Sequence, residues 1–184
     1  IVFTSGGTES NNLGLLGSVR NRKPGRVLVG PTEHASVRTA AAQLANEGFV
    51  VETLRLKPDG QLDLDHAAER MGDDVVLVAQ MLVSNELGTR YPVQRLARLA
   101  RARCGRVHVH CDGVQALGKI DLDLEELGVD SLALSGHKVH GPKGQGALAL
   151  GKNSQIKPLL FGGSQEEGLR PGTENVPSIA AFGL

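Results

Sequence analysis

The sequence predicts an α/β fold, a mostly parallel β-sheet with helices on both faces. Two observations support this prediction. Apolar runs rich in β-branched residues alternate along the whole chain with longer segments whose apolar residues recur at helical spacing. Strands that alternate with helices need crossover connections, which make the sheet largely parallel and cover both of its faces.

The first half of the chain predicts three strands and three helices. Apolar runs that favour buried strands lie at 1–4, 26–30 and 49–55. A segment of helical character follows each run, and these segments span 8–21, 35–47 and 63–71.

The second half continues the alternation of strand and helix. We expect strands at 75–80, 107–111, 132–134 and 146–150, and helices at 93–103 and 124–127. Glycine and proline cluster at 141–146 and 161–164, which predicts loops within a single domain.

Composition and charge limit the functional classes. The 184 residues are 40% hydrophobic and 22% charged, which suits one well-buried globular domain. The 20 basic and 20 acidic residues balance, so we expect neither nucleic acid nor a membrane surface as a partner. No apolar stretch reaches the roughly 20 residues of a membrane-spanning helix, and no leader peptide is recognisable. A small-molecule ligand fits these limits better.

The cysteines and the chain ends give two further expectations. Cys104 and Cys111 lack Cys-x-x-Cys spacing, which indicates a reducing compartment and, by default, the cytoplasm. The chain opens in a strand-like run at Ile1 and stops inside an apolar helical pattern at Leu184. We therefore expect residues 1–184 to be an internal piece of a longer protein.

The strongest functional signal is the combination of Lys138 with Asp112. Lys138 closes a Ser-Gly-His-Lys run directly after a predicted strand, and Asp112 follows another predicted strand. Pyridoxal phosphate needs an amine for its aldehyde and a carboxylate that keeps its ring nitrogen protonated. Either residue alone would be an ordinary surface lysine or turn acid. Together, at the carboxyl ends of parallel strands, they predict a pyridoxal phosphate site.

A glycine-rich turn between the first strand and the first helix predicts an anion cradle. Gly6 and Gly7 would let backbone N–H groups and the positive end of a helix approach a phosphate. The helix dipole contributes only about 0.3–2 kcal/mol, so other donors are needed. The nearest in these motifs are Thr8, Ser135 and His137. An ordinary helix cap is the alternative for this turn.

Four more polar residues fall where predicted elements end. His34 could stack on a planar cofactor, or could be a capping or surface histidine. Asn85 could bind a ring hydroxyl or a substrate carboxylate, or could mark a turn. Arg170 and Thr173 form a turn that could meet an anion, with a solvated loop as the alternative.

His108, His110 and Asp112 alternate along one strand, which invites a metal interpretation. The first and last of them lie about 13 Å apart at about 3.3 Å per residue, too far for one ion. A zinc site, and with it a metal-dependent hydrolase, would need ligands from elsewhere. Cys111 points to the opposite face and is expected to be buried.

Six motifs, in their order along the chain, resemble those of the cysteine desulfurases in the class-V aminotransferase group. They are Gly6–Ser10, Thr32–His34, Asn85–Glu86, His110–Gln115, Ser135–Pro142 and Arg170–Thr173. The resemblance covers essentially all of the chain. It implies the large domain of a fold-type I pyridoxal phosphate enzyme.

The resemblance also implies a role for each site residue. Lys138 would bind the cofactor covalently, His34 would stack on the ring, and Asp112 would partner the ring nitrogen. The remaining cofactor contacts would be Gln115 at the ring hydroxyl, Asn85 near the ring and substrate, and Gly7, Thr8, Ser135 and His137 at the phosphate. Thr173 would reach the phosphate of the neighbouring subunit, which implies a homodimer.

The implied reaction takes sulfur from L-cysteine as an enzyme persulfide and releases alanine. An acceptor or scaffold protein would then receive the sulfur for the assembly of iron–sulfur clusters or thio-cofactors. Family members also carry an earlier segment and a small carboxyl-terminal domain with the nucleophilic cysteine. Neither Cys104 nor Cys111 corresponds to that cysteine, so residues 1–184 would form a partial large domain. Cys111 and Gly113 replace the Val and Ala common beside Asp112, a mild change.

Other functions stay open at this point. Selenocysteine lyase shares these motifs, and another class-V enzyme would show similar ones. A truncated, non-enzymatic binding module is a further alternative, because the catalytic cysteine of the family has no counterpart here.

Overall fold

A single seven-stranded sheet forms the centre of the molecule. The computed structural model describes all of residues 1–184. The strands are β1 Val2–Thr4, β2 Arg26–Val29, β3 Val50–Thr53, β4 Val75–Ala79, β5 His108–Asp112, β6 Ser131–Ser135 and β7 Gly146–Leu150. Their order across the sheet is β1-β7-β6-β5-β4-β2-β3.

All strands but one run in the same direction. The pairs β2–β3, β2–β4, β4–β5 and β5–β6 are parallel, whereas β7 is antiparallel to both β6 and β1. β7 can reverse direction because a short turn-rich segment, and no crossover helix, connects it to β6. The predicted mostly parallel sheet is therefore confirmed.

Six α-helices and two 3₁₀ turns surround the sheet. The helices are α1 Gly7–Val19, α2 Ala35–Asn46, α3 Leu64–Arg70, α4 Val93–Arg103, α5 Leu124–Leu127 and α6 Val176–Phe182, and the 3₁₀ turns are Gly136–Val139 and Gln165–Gly168. The five predicted helices are all present. None of the helices combines the length and the apolar character needed to cross a membrane.

Helices α1 and α2 cover one face of the sheet. Leu15 of α1 and Val37 and Leu44 of α2 belong to one buried cluster with Val27 and Val29 of β2. Because alternate strand residues point to opposite faces, the intervening residues of each strand are free to pack on the other side.

Helices α3 and α4 cover the opposite face. Ala67 and Leu96 belong to the largest buried cluster, together with Val78, Val109 and Cys111 from the central strands. Helices therefore lie on both faces, as predicted. Cys111 is fully buried, as expected for a core residue.

The strand register places the carboxyl ends of three strands at one edge. Thr4 of β1 and Ser135 of β6 both lie opposite Gly146, and Asp112 of β5 lies opposite Ala133. α1 begins immediately beyond β1. Asp112 and Ser135 are the last residues of β5 and β6. The sequence patterns end each of these strands one residue earlier and place both residues in the following loops.

Candidate active site

One cavity at the carboxyl edge of the sheet gathers most of the predicted site. Its volume is about 350 Å³. Its predicted lining residues are Gly7, Thr8, His34, Asn85, Asp112, Gln115, Ser135, His137 and Lys138, and Asn11, Ser36, Met81 and Val114 complete the wall. Residues from five separate stretches converge here because parallel strands bring their carboxyl ends together.

The amino end of α1 forms one wall. Gly6 precedes the helix without a side-chain cap, so the first N–H groups of α1 have no partner within the helix. A Cβ on Gly7 would lie 2.7 Å from Val114 Cγ2 and 3.6 Å from Ser135 Cβ. Glycine therefore permits the close approach of the α1 amino end to Val114, and the backbone donors there suit an anion.

The end of β6 and the following 3₁₀ turn form another wall. Ser135 is buried, and its Oγ lies 3.0 Å from His137 Nδ1. Lys138 lines the cavity from the 3₁₀ turn. The lysines that form ion pairs are Lys57 and Lys152, so no carboxylate of this chain holds the Lys138 amine.

Asp112 contributes a buried carboxylate to the cavity wall. The residue is 5% exposed. Its Oδ1 accepts a hydrogen bond from Val114 N–H at 2.9 Å, and its Oδ2 accepts one from Asn11 Nδ2 at 2.7 Å. Burial raises the pKa of Asp112, while the two hydrogen bonds oppose that shift. A cationic group in the cavity would favour the ionised carboxylate.

His34 is both a helix cap and a cavity residue. Its Nδ1 accepts from Ser36 N–H at 3.2 Å and lies 2.8 Å from Ser36 Oγ, at the start of α2. The same side chain lines the cavity. The two interpretations open from the sequence are therefore compatible, because the cap fixes one ring nitrogen while the ring stays accessible.

Gln115 and Asn85 lie at the edge of the cavity. Gln115 Oε1 accepts a hydrogen bond from Lys119 Nζ at 2.7 Å, which turns the amide so that its NH₂ group remains available as a donor. Asn85 is exposed on the loop between β4 and α4.

Thr173 is the one predicted site residue that lies elsewhere. It is exposed and lines a separate cavity of about 210 Å³. Arg170 lines the same cavity, and its Nε donates to Glu9 Oε1 at 3.0 Å. Thr173 does not join the phosphate donors of its own chain.

The two histidines of β5, His108 and His110, form hydrogen bonds with one serine side chain. His108 Nε2 and His110 Nδ1 each lie 2.8 Å from Ser131 Oγ. Burial lowers the pKa of both rings to about 3, so both are neutral near pH 7. The structure contains no group of three or more side chains arranged to bind a metal ion.

Both cysteines are buried and lie outside the cavity wall. Cys104 is 6% exposed and Cys111 is fully buried. Burial raises the pKa of both thiols, which disfavours the reactive thiolate.

Sequence reasoning gave no role to Asn11 and Ser36. The Asn11 amide contacts both Asp112 and Ser36, and Ser36 contacts His34. A signal for Asn11 was present, because it lies three residues after Thr8 and therefore on the same side of α1. Ser36 carried no comparable signal.

Comparison with known proteins places this chain in a family. The whole chain, residues 1–184, matches the sequence model described as aminotransferase class-V. The chain belongs to the class-V aminotransferase family. This class-V chain is 42% identical over 185 residues to cysteine desulfurase IscS 1 of Archaeoglobus fulgidus, with 100% of the chain and 48% of that protein covered.

Solved structures agree with the sequence comparison. A NifS-like protein superposes with a TM-score of 0.94 at 37% identity, covering 98% of this class-V chain and 50% of the other chain. A structure described as SspA in complex with cysteine superposes with a TM-score of 0.92 at 36% identity, covering 99% of this chain and 53% of the other chain. The predicted family and fold are thus confirmed. The chain spans about half the length of the curated relatives it matches.

Proposed function

We propose that this chain is part of a pyridoxal phosphate-dependent cysteine desulfurase, which takes sulfur from L-cysteine and leaves alanine. The observation that carries the proposal is that Lys138 and Asp112 line one cavity with His34 and the glycine-rich end of α1. A curated relative bears the name cysteine desulfurase, and a similar structure is described in complex with cysteine. Both support L-cysteine as the substrate.

The residues present fit the proposed cofactor. Pyridoxal phosphate carries an anionic phosphate, a flat ring with a basic nitrogen, and an aldehyde. The cavity offers a different chemical group for each: unpaired N–H groups where a Cβ on Gly7 would collide, a buried carboxylate at Asp112, and the amine of Lys138.

Each residue would make a separate contribution. When bound, the cofactor supplies an aldehyde that reacts with amines and a ring that withdraws electrons. Lys138 would provide the amine, and Asp112 would hold a proton on the ring nitrogen. His34 would lie against the ring. Gln115 would donate to the ring hydroxyl, and Asn85 would contact ring and substrate.

The phosphate donors support a homodimer in this proposal. Gly7, Thr8, Ser135 and His137 would bind the phosphate within one chain. Thr173 lies in a separate, exposed cavity, which suits a contact with the phosphate of a second subunit.

The sulfur-accepting thiol would come from outside the described residues. Cys104 and Cys111 are buried and away from the cavity, so neither is placed to attack a bound substrate. We therefore take residues 1–184 as part of a large domain whose parent protein carries the nucleophilic cysteine. A sulfur-acceptor or scaffold protein in the cytoplasm would then receive the persulfide sulfur.

Replacing Lys138 tests the proposal in the full-length protein. Lys138→Ala removes the only lysine amine of the cavity wall, so visible absorbance of bound cofactor should disappear and activity should fall by roughly 10²-fold or more. Lys152→Ala is the matched control, because Lys152 pairs with Glu125 on the surface. Absorbance that persists in Lys138→Ala would contradict the cofactor assignment.

The products distinguish the substrate. Purified full-length protein loaded with cofactor and supplied with a dithiol, which reduces the enzyme persulfide, should release alanine and sulfide from L-cysteine, measured by amino-acid analysis and a sulfide assay. Turnover of selenocysteine with none of L-cysteine would replace the proposal with selenocysteine lyase.

A further inference from the structure

We propose that Asn11 is a positioning residue that aims the Asp112 carboxylate at the ring nitrogen of the cofactor, with His110 fixing the orientation of the Asn11 amide. The inference deepens the proposed function and rests on it. Asn11 lines the cavity wall beside Asp112 and is 1% exposed, so water does not compete for its hydrogen bonds.

The contacts of Asn11 define which way its amide points. Nδ2 donates to Asp112 Oδ2 at 2.7 Å and to Ser36 Oγ at 2.8 Å, which uses both of its hydrogens. Oδ1 faces His110 Nε2 at 2.9 Å. The reverse orientation would place the amide oxygen against the carboxylate. The amide is therefore held with its donors toward Asp112.

The neutral state of His110 determines the rest of the chain of hydrogen bonds. Asn11 Oδ1 can only accept, so His110 Nε2 carries the hydrogen. His110 Nδ1 then accepts from Ser131 Oγ, and Ser131 Oγ in turn accepts from His108 Nε2–H. Every donor in this buried chain meets an acceptor, which favours one rigid arrangement.

Tight packing of α1 against β5 keeps the chain in place. A Cβ on Gly14 would overlap the Nδ1 and Cε1 atoms of His110, so a side chain at this position is incompatible with the observed contact. Asn11 lies three residues earlier on the same helix. The helix therefore brings the amide of Asn11 and the ring of His110 together without room for another arrangement.

The carboxylate itself gains its direction from these contacts. Its other oxygen, Asp112 Oδ1, accepts from Val114 N–H at 2.9 Å. With Val114 on one oxygen and Asn11 on the other, the carboxylate is held by two donors. Hydrogen bonds to an ionised group favour the ionised form, which is the form that retains a proton on a ring nitrogen.

The test uses full-length protein loaded with pyridoxal phosphate labelled with ¹⁵N in the ring. In the unmodified protein, the ¹⁵N resonance should be that of a protonated ring nitrogen. In Asn11→Ala it should move toward the unprotonated position, and cofactor affinity should fall about tenfold, the effect of losing one hydrogen bond to a charged group. Asn12→Ala is the control, because its side chain donates only to Thr8 O, within α1.

A second variant guards against a folding defect in Asn11→Ala. Asn11→Leu keeps the size of the side chain but removes its donors to Asp112 and Ser36, so the ¹⁵N resonance should move in the same direction. An unchanged resonance in both variants would overturn the positioning role. Unmodified protein that takes up no cofactor would overturn the proposed function itself, and the inference with it.

Discussion

At the residue scale, Glu33 shows how a polar motif residue can be structural. It is 1% exposed, and its Oε1 accepts from Met81 N–H at 2.6 Å. Glu33 Oε2 and Gln80 Oε1 are buried without a hydrogen-bond partner. Burial raises the pKa of Glu33 to about 8. The buried carboxyl therefore keeps its proton near pH 7 in the folded chain.

This protonated carboxyl predicts a pH-dependent stability. In the unfolded chain Glu33 loses its proton near pH 4.5, whereas the folded chain keeps it until about pH 8. The stabilisation that Glu33 contributes should therefore be fully present below pH 4.5 and be lost as pH rises to about 8, by up to about 1.4 kcal/mol per pH unit.

Glu33→Gln isolates that contribution. Its amide oxygen can accept from Met81 N–H and its side chain does not titrate, so denaturant unfolding between pH 5 and 8 should show a smaller decline than in the unmodified protein. Glu47→Gln, on the exposed end of α2, is the control. An equal decline in Glu33→Gln and the unmodified protein would mean that Glu33 is already ionised in the fold.

The sequence could predict cavity-lining residues that lie in compact motifs but not the contacts between motifs. Ser135, His137 and Lys138 lie in one short run after a strand, and the structure places all three in the cavity wall. Asn11 and Asp112 are distant in sequence, so only the folded sheet and helix show that their side chains meet. Burial of Glu33 was likewise invisible in a run that resembles a functional motif.

At the scale of elements, α1 has two functions that follow from its glycines. Its amino end lies close to Val114 at the cavity wall through Gly7, and its middle packs closely on β5 at Gly14. The bounds of the seven strands and of helices α1 to α5 followed from apolar periodicity to within two residues, whereas the bounds of α6 were not predicted. The direction of β7 did not, because periodicity carries no information on direction and only the short connection to β6 allows the reversal.

The close packing of α1 predicts the effect of a single methyl group. Gly14→Ala should lower the unfolding free energy by roughly 1–3 kcal/mol, because its Cβ overlaps the His110 ring and forces a shift. Gly105→Ala is the control, since a Cβ there makes only ordinary contacts at 3.7 Å or more. Denaturant unfolding measures both variants. Equal stability for the two would show that α1 relaxes away from β5 easily.

At the scale of the whole molecule, the fold brings five stretches of the chain to one edge of the sheet. The parallel strands make this edge, and helices on both faces leave it as the open side where a ligand can bind. The sequence predicted this convergence from the alternation of strands and helices. The family resemblance already assigned Thr173 to the site of a neighbouring subunit, and the structure places Thr173 in a cavity apart from Lys138.

The central claim is that Lys138 and Asp112 bind the same coenzyme, and chemical trapping tests it most directly. Full-length protein loaded with pyridoxal phosphate is reduced with borohydride, which fixes an amine-bound aldehyde, and its peptides are mapped by mass spectrometry. We predict a phosphopyridoxyl group on Lys138, and weaker labelling in Asp112→Asn. Labelling confined to other lysines, or none at all, would contradict the account.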